Sequence, residues 1–219
     1  MTDLRLSYQT IEFDKIDIHL CTLRDNQEFS DPNQIAEKLG ISSATWPIFG
    51  VVWPSGLVLA HYIKDYETGS KRILEVGCGM ALSSLLLNKQ SADITATDYH
   101  PEVNNFLKRN ALLNGDDAIA FEQVDWTNKD DDLGLFDLII GSDLLYEDEH
   151  TELLVSFLAD HANPTCEVII VDPGRGRKNS LSAKMMALGF TATQQKPEHT
   201  DFLVKEFKGH ILKFVRTSP

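Results

Sequence analysis

The stretch that decides the fold is LEVGCGMA at residues 74–81, in which an apolar strand runs into a glycine-containing turn and a predicted helix follows. Gly77 and Gly79 carry no side chains, so a ligand can approach the backbone there, and the N-terminus of the helix supplies N–H donors. The dinucleotide-binding pattern needs a glycine at position 82, where Leu82 stands. Glu75, two positions before the first glycine, is not part of that pattern either, and it can hold the loop or accept from an ammonium group. A dehydrogenase is therefore disfavoured, and a plain tight turn is the alternative for the two glycines alone.

The next two predicted strands also end in carboxylates. Asp98 follows the first glycine by 21 residues and can accept both ribose hydroxyls of a nucleoside, or it can simply cap the next helix. Asp125 can accept from an exocyclic adenine amine and the Trp126 indole can stack on a purine; the alternative is a surface cap beside a core tryptophan. Because the carboxyl ends of successive parallel strands share one edge of a sheet, these signals together predict a ligand site at that edge.

Strand and helix patterns alternate for more than 100 residues from Lys71, which predicts an α/β fold with a doubly wound, mostly parallel sheet and helices on both faces. The predicted strands are 72–76, 94–97, 119–124, 136–141 and 168–171, followed by two antiparallel strands in the last 30 residues. The predicted helices are 55–65, 81–89, 101–113, 151–160 and 181–188. This domain is placed at residues 45–219. Residues 1–44 are expected to form an N-terminal extension with a hairpin over 5–24 and a helix from Ser30 to Leu39.

Composition excludes several classes of protein. The chain has 219 residues, of which 42% are hydrophobic and 24% charged, as in globular and not disordered or fibrous proteins. Its net charge of −13 disfavours nucleic acid as a partner and fits a lysine-rich protein surface better. No apolar run approaches the roughly 20 residues of a membrane helix, and no secretory signal is visible. Three cysteines without metal-ligand spacing suit a reducing cytoplasm, and seven scattered histidines predict no metal site. We therefore expect a cytoplasmic monomer with no membrane partner.

The acid–glycine pattern of residues 75–79, together with Asp98 and Asp125, resembles the S-adenosylmethionine site of class I methyltransferases. This resemblance implies a Rossmann-like fold with a seven-stranded sheet and S-adenosylmethionine as the cofactor. Ala81 departs from the commoner third glycine, by the smallest change that is possible there.

Two further elements resemble the small Asp-x-x-Tyr methyltransferases, many of which modify lysine in proteins. One is Asp143-x-x-Tyr146 within FDLIIGSDLLYE, and the other is Trp53-Pro54 within FGVVWPSGLVLA. DPGR at residues 172–175 is similar to bacterial members related to the electron-transfer-flavoprotein lysine methyltransferases. The resemblance covers roughly Thr45 to Arg175.

The resemblance also assigns roles to individual residues. Asp143 is expected to orient the acceptor ammonium or to accept a proton through water. Tyr146 is expected to line the methyl channel with its ring and to align the amine with its hydroxyl. Their alternative roles are a helix cap and a half-buried aromatic. The residues expected to bind the cofactor are Trp53, Glu75, Gly77, Cys78, Gly79, Asp98, Asp125, Trp126 and Ser142.

Cys78 and Trp53 each have a competing interpretation. Cys78 lies inside the glycine loop and could be a nucleophile, but with no base assignable nearby a thiol in the cofactor wall is favoured. Trp46 and Trp53 could be core residues or an active-site lid, and Trp53 is preferred for cofactor contact because it precedes a proline and a predicted helix.

The leading hypothesis is methyl transfer from S-adenosylmethionine to a side-chain amine of a protein, with lysine as the acceptor. The first alternative is a small-molecule N-methyltransferase acting on a nicotinamide-like amine. A closed pocket under Trp46 and Trp53 would favour it, whereas an open acidic groove would favour a protein substrate. The second alternative is a non-catalytic module that binds the cofactor and serves a partner, against which the presence of both Asp143 and Tyr146 argues.

Overall fold

The structure, a computed structural model, describes residues 4–128, 132–146 and 148–217. The strands are β1 (Leu6–Phe13), β2 (Ile16–Leu23), β3 (Arg72–Val76), β4 (Asp93–Asp98), β5 (Ala120–Gln123), β6 (Phe136–Ser142), β7 (Ala162–Asp172), β8 (Thr191–Gln195) and β9 (His210–Arg216). The helices are α1 (Ile35–Lys38), α2 (Pro54–Ile63), α3 (Leu82–Lys89), α4 (Val103–Leu113), α5 (Asp148–His161) and α6 (Lys178–Ala187). A 3-10 turn over Trp46–Gly50 precedes α2.

Seven strands form one sheet in the order β5-β4-β3-β6-β7-β9-β8. The strands from β3 to β7 are parallel to their neighbours among themselves, and β9 is antiparallel to both β7 and β8. The chain runs outward from β3 to β5 and then returns to β6 on the other side of β3. The carboxyl ends of β3 and β6 therefore form the topological switch point, where open α/β sheets bind ligands. The predicted Rossmann-like, mostly parallel seven-stranded sheet is confirmed.

Helices cover both faces of this sheet. Val58 of α2 and Leu85 of α3 share one buried cluster with Ile73 of β3. Leu154 of α5 lies in a second cluster with Leu74, the next residue of the same strand. Consecutive strand residues divide between the two clusters because their side chains point to opposite faces. A continuous apolar strand pattern is thus explained by burial on both sides.

The predicted N-terminal hairpin is confirmed, since β1 and β2 pair antiparallel over their full length. The hairpin packs against the domain through α4, where the Asn110 side chain accepts from the Cys21 N–H at 2.7 Å and donates to the Cys21 carbonyl at 3.2 Å. Phe13, Ile18 and Leu20 join the same buried cluster as α2 and α3. The boundary after residue 44 stays a prediction.

The helix predicted from Ser30 to Leu39 is wrong in length, because α1 spans only Ile35–Lys38. The Asp31 carboxylate accepts from the N–H groups of Ile35 and Glu37 at 2.9 Å each, and Gln34 has a left-handed φ of 54°. A residue in that conformation cannot continue a right-handed helix. The aspartate before the proline therefore shapes a turn that caps a later and shorter helix.

Within the part of the chain that the structure describes, the segment Trp46–Ile63 has 18 residues and a mean hydropathy of 1.3. By length and composition it could cross a membrane, so the expectation that no apolar run approaches this length was wrong. The structure divides the segment into the 3-10 turn and α2, with Val51 between them in extended conformation, and half of it is buried. Core segments pass the same test, so the segment alone is weak evidence for a membrane span.

Candidate functional site

The glycine loop between β3 and α3 adopts the backbone that only glycine accepts readily. Gly77 and Gly79 have φ values of 60° and 52°. A Cβ atom at residue 77 would lie 2.5 Å from Leu144 Cδ2, and one at residue 79 would lie 3.2 Å from the Phe49 carbonyl oxygen. The loop is thus packed between the segment after β6 and the 3-10 turn. Ala81 continues the pattern with a φ of 54°, which a methyl side chain tolerates at a cost of about 1 kcal/mol.

Glu75 holds the glycine loop to α3. Its carboxylate accepts from the Ser84 N–H at 2.9 Å and from the Ser84 hydroxyl. The side chain is buried, and burial raises its pKa to about 7, with the nearby Asp98 charge adding to the rise. Of the two roles considered for this residue, the structure shows contacts for holding the loop.

Asp98 lies at the carboxyl end of β4 and joins two loops. Its Oδ2 accepts from the Gly79 N–H at 2.8 Å, and its Oδ1 accepts from the His100 N–H at 2.8 Å. The first contact places the carboxylate against the glycine loop. The second closes a turn before α4 and is not the helix cap given as the alternative, because the N-cap of α4 is Glu102. Burial raises the pKa of Asp98.

Cys78 has the environment of a wall residue. Its N–H donates to the Thr97 carbonyl at 2.9 Å, which joins the loop to β4. Burial, followed by the charges of Asp98 and Glu75, raises the pKa of its thiol well above the ordinary value. A thiol held protonated is a poor nucleophile, so the structure favours the wall over the nucleophile.

Asp125 and Trp126 show the contacts of their alternative roles. Asp125 Oδ1 accepts from the Thr127 N–H at 2.9 Å and from the Thr127 hydroxyl at 2.8 Å, as a capping residue does. The Trp126 ring lies 6.4 Å from the Phe157 ring of α5 and lines a cavity of about 380 Å³ with residues that include His161. The cofactor contacts expected of both residues stay predictions.

The segment before α2 lies over the same edge of the sheet. Trp53 donates its indole N–H to the Ile48 carbonyl at 2.8 Å. Gly56, in the first turn of α2, faces β6, since a Cβ atom built there would lie 3.7 Å from Ser142 Oγ. Trp46 is 1% exposed and its ring lies 5.3 Å from the ring of Phe49, which makes it a core residue and not a lid.

Asp143 and Tyr146 lie just beyond β6, and a third residue joins them. Asp143 has a left-handed φ of 56°, and its N–H donates to the Val171 carbonyl at 2.9 Å. Arg175 donates from Nε to Asp143 Oδ1 at 2.6 Å, and its Cζ lies 4.4 Å from the centre of the Tyr146 ring. Partial burial and the negative charge of Asp143 raise the pKa of Tyr146 to about 12, so its hydroxyl stays protonated. The sequence motif therefore forms a site that holds a cation.

Arg175 belongs to the DPGR motif in the sequence, from which no role was predicted for it. The available signal was its position directly after the fifth parallel strand, β7, which is adjacent to β6 in the sheet. Position alone could not show that its guanidinium reaches back over 32 residues of sequence to Asp143.

The residues at this edge fit a nucleoside cofactor. The glycine loop brings backbone close to the switch point, where any added Cβ would meet neighbouring atoms. Asp98 presents a partly exposed carboxylate beside that loop, suited to the two hydroxyls of a ribose. No group of His, Cys, Asp and Glu suited to a metal ion occurs in the described ranges.

A glycine loop, a carboxylate at the end of β4 and an Asp-x-x-Tyr pair, all at the switch point of this sheet, are the features of a class I methyltransferase. Residues 34–187 match the lysine methyltransferase family, and the chain belongs to that family.

Relatives and solved structures agree with this class. The chain is 30% identical over 146 residues to the protein-lysine methyltransferase METTL21E of Bos taurus, which covers 61% of this chain and 50% of the relative. It is 31% identical over 119 residues to the histone-arginine methyltransferase METTL23 of Xenopus laevis, and this match covers 50% of this chain and 51% of the relative. A methyltransferase structure from Pyrococcus furiosus is similar with a TM-score of 0.59 and 23% identity, over 74% of this chain and 82% of that one. The chain spans about half the length of the curated relatives it matches.

Proposed function

We propose that this protein transfers a methyl group from S-adenosylmethionine to the side-chain amine of a lysine in a protein. The observation that carries the proposal is that Asp143 and Tyr146, at the switch point of the sheet, together hold a cation, the guanidinium of Arg175. A buried carboxylate beside an aromatic face is suited to a side-chain cation such as the ammonium of lysine. The family match and the relative named as a protein-lysine methyltransferase support the same acceptor.

Residues already in place would hold the cofactor. Asp98 would accept from the ribose hydroxyls, and the backbone at Gly77 and Gly79 would pass close to the ligand. Glu75 would keep the loop in position through Ser84. Bound S-adenosylmethionine supplies an electrophilic methyl group on a positively charged sulfur, and the electrons of the broken bond stay on that sulfur.

The protein must then present a neutral amine. A free lysine has a pKa of about 10.4, so having it neutral at pH 7.4 costs about 4 kcal/mol. Asp143 can attract and orient the ammonium, and after deprotonation it can accept an N–H of the amine. The Tyr146 ring lies beside it and can exclude water from the acceptor, which strengthens these contacts.

An arginine acceptor is the second candidate. The Asp143–Tyr146 pair already accommodates a guanidinium, that of Arg175, and one relative is named as a histone-arginine methyltransferase. The small-molecule alternative loses the support that Trp46 as a lid would have given it, because Trp46 is packed in the core.

Radiolabelled methyl transfer tests the proposal. S-adenosylmethionine with a tritiated methyl group is incubated with the enzyme and a cell extract, with Asp143→Ala as the control. Label is expected in protease-sensitive, nuclease-resistant material that yields methyl-lysine on acid hydrolysis. Methyl-arginine in the hydrolysate would instead support arginine, the second candidate, as the acceptor. Label in small molecules alone would overturn the proposal.

Salt should slow the same transfer. A protein with a net charge of −13 approaches a basic surface faster than an acidic one, and salt screens that attraction. A substrate without a basic surface would show no such dependence.

We also propose a cytoplasmic monomer, supported in part by the three free cysteines.

A further inference from the structure

Arg175 connects the two residues of the Asp-x-x-Tyr motif. Its Nε donates to Asp143 Oδ1 at 2.6 Å, and its guanidinium carbon lies 4.4 Å from the centre of the Tyr146 ring. The Asp143 side chain is 8% exposed, whereas that of Arg175 is 36% exposed. The guanidinium is thus the more exposed member of the pair, and the carboxylate lies beneath it.

A second carboxylate lies at the base of the Arg175 loop. Asp172, at the end of β7, is 1% exposed and accepts from the Gly174 N–H at 3.0 Å through Oδ2. Its Oδ1 is buried and has no hydrogen-bond partner among the residues the structure describes. The negative charges of Asp143 and Asp172 both stabilise the charged guanidinium of Arg175. Arg175 is therefore a cation that interacts with two buried carboxylates, those of Asp143 and Asp172.

We infer that Arg175 is a positioning residue for the acceptor amine: by pairing with Asp143 it offsets the carboxylate charge, so that an entering lysine reaches its neutral, nucleophilic form. This inference rests on the proposed function. It concerns how the same site prepares its substrate.

The physical reason is the sign of each charge. A carboxylate close to an amine stabilises the ammonium form and raises the amine pKa, which opposes methyl transfer. A guanidinium cannot act as a base, because it stays protonated under physiological conditions, but its positive charge opposes that effect. The hydrogen bond from Arg175 Nε goes to Oδ1 of Asp143, and Oδ2 is then an oxygen that can accept an N–H from the neutral amine. The proton released from the ammonium passes to solvent.

Ionisable groups around the pair must be controlled. Tyr146 and Asp172 interact electrostatically with Arg175, and Asp98 interacts with Tyr146. His210 interacts with Asp172 and with Lys178. Among them the histidine ordinarily titrates near neutral pH. Its pKa is lowered by desolvation and by the charge of Lys178. His210→Asn is therefore included, and it should leave the pH profile of methyl transfer unchanged.

The test is the pH profile of methyl transfer from tritiated S-adenosylmethionine into extract protein, for the wild type and Arg175→Gln. The acidic limb should move to higher pH by about one unit in the variant, because the uncovered carboxylate raises the amine pKa. At pH 7 the maximal rate should fall by about tenfold. The concentration of extract protein that gives half the maximal rate should stay equal or decrease.

Three further variants separate charge from structure. Arg175→Lys keeps the charge and should return the acidic limb toward the wild-type position. Arg177→Gln removes a positive charge two residues away, from a guanidinium that donates to the Arg175 carbonyl at 3.5 Å, and should not move the acidic limb. In an Asp143→Asn background, Arg175→Gln should shift the acidic limb less than it does in the wild type, because the guanidinium has lost the carboxylate that holds it beside the acceptor.

Several results would overturn the inference. These are an unshifted acidic limb in an Arg175→Gln variant that still binds S-adenosylhomocysteine in calorimetry, a shift of equal size in Arg177→Gln, and a faster rate at neutral pH. Should Arg175→Gln fail to fold, Arg175→Met takes its place, since it removes the same charge, keeps a long unbranched side chain and must move the limb to higher pH. A wild-type protein that labels no lysine would refute the proposed function, whereas labelled lysine with an unshifted profile refutes only the role of Arg175.

Discussion

Glu75 should make the free energy of unfolding decrease as the pH rises, and Glu75→Gln should remove that dependence. The side chain is 4% exposed, and its carboxyl group accepts from Ser84. Burial, with a smaller contribution from Asp98, raises its pKa from 4.5 to about 7. Between these two values the folded protein keeps the proton and the unfolded chain releases it.

The size of the effect follows from proton linkage. A carboxyl whose folded pKa is raised contributes stability that is fully present below its unfolded pKa and is lost as the pH rises through its folded pKa. With 4.5 and about 7 as the two values, this contribution decreases by about 2 kcal/mol between about pH 5.5 and pH 8. Over the whole window it decreases by about 3 kcal/mol.

Urea unfolding of the cofactor-free protein at several pH values measures this directly. The quantity of interest is the wild-type free energy of unfolding minus that of Glu75→Gln, because the other titrating groups cancel in the difference. Glutamine keeps an acceptor oxygen for Ser84 and does not titrate. Any cost of the substitution to the free energy of unfolding is therefore the same at every pH and does not change the slope of the difference against pH. Glu122→Gln, on an exposed position of β5, controls for the loss of one surface charge. A difference that stays flat or increases with pH would refute the assignment of a buried, proton-holding carboxyl.

Four other substitutions test the site. Asp98→Ala should weaken S-adenosylmethionine and S-adenosylhomocysteine by about 1.5–3 kcal/mol in calorimetry, and unchanged affinity would leave Asp98 with a role in the turn only. Asp143→Ala should reduce the turnover number by at least about tenfold, whereas Tyr146→Phe should keep cofactor affinity within a few-fold because the ring remains; near-normal turnover of the first variant would exclude the role of Asp143. Gly77→Ala should cost about 2–4 kcal/mol in urea unfolding, since its φ is 60° and its Cβ would lie 2.5 Å from Leu144, and an unaffected midpoint would contradict that packing.

The fold could be predicted because its signals are local. β3 and β6 are apolar strands that lead into glycine-containing segments, and β4 is a short strand that ends in an aspartate shortly before a proline. The predicted strand 72–76 coincides with β3, and the strand 136–141 differs from β6 by one residue. The failure at α1 is local too, because whether Asp31 caps a helix at once or shapes a turn first depends on the backbone of Gln34, which composition does not reveal.

The candidate site could be predicted only as far as strand ends could be identified. The rule that ligands bind at the carboxyl edge of the sheet placed Asp98 beside the glycine loop, where the structure has it. It could not show that Trp126 turns toward Phe157 of α5, because the direction of a loop side chain depends on packing across the whole face. Arg175 was missed for the same reason, since its partners Asp143 and Tyr146 follow a different strand, β6.

Backbone strain and charge coincide at Asp143. A non-glycine residue in the left-handed region costs about 1 kcal/mol, and its N–H bond to the Val171 carbonyl fixes it there, next to the end of β7. The carboxylate is consequently held close to the loop that carries Arg175, so the contact between them follows from the backbone as much as from attraction between the charges. Asparagine also tolerates the left-handed region, whereas alanine tolerates it less well. Asp143→Asn therefore removes the charge and largely preserves the backbone, and its comparison with Asp143→Ala separates what the carboxylate does in catalysis from what the turn does for the shape of the site.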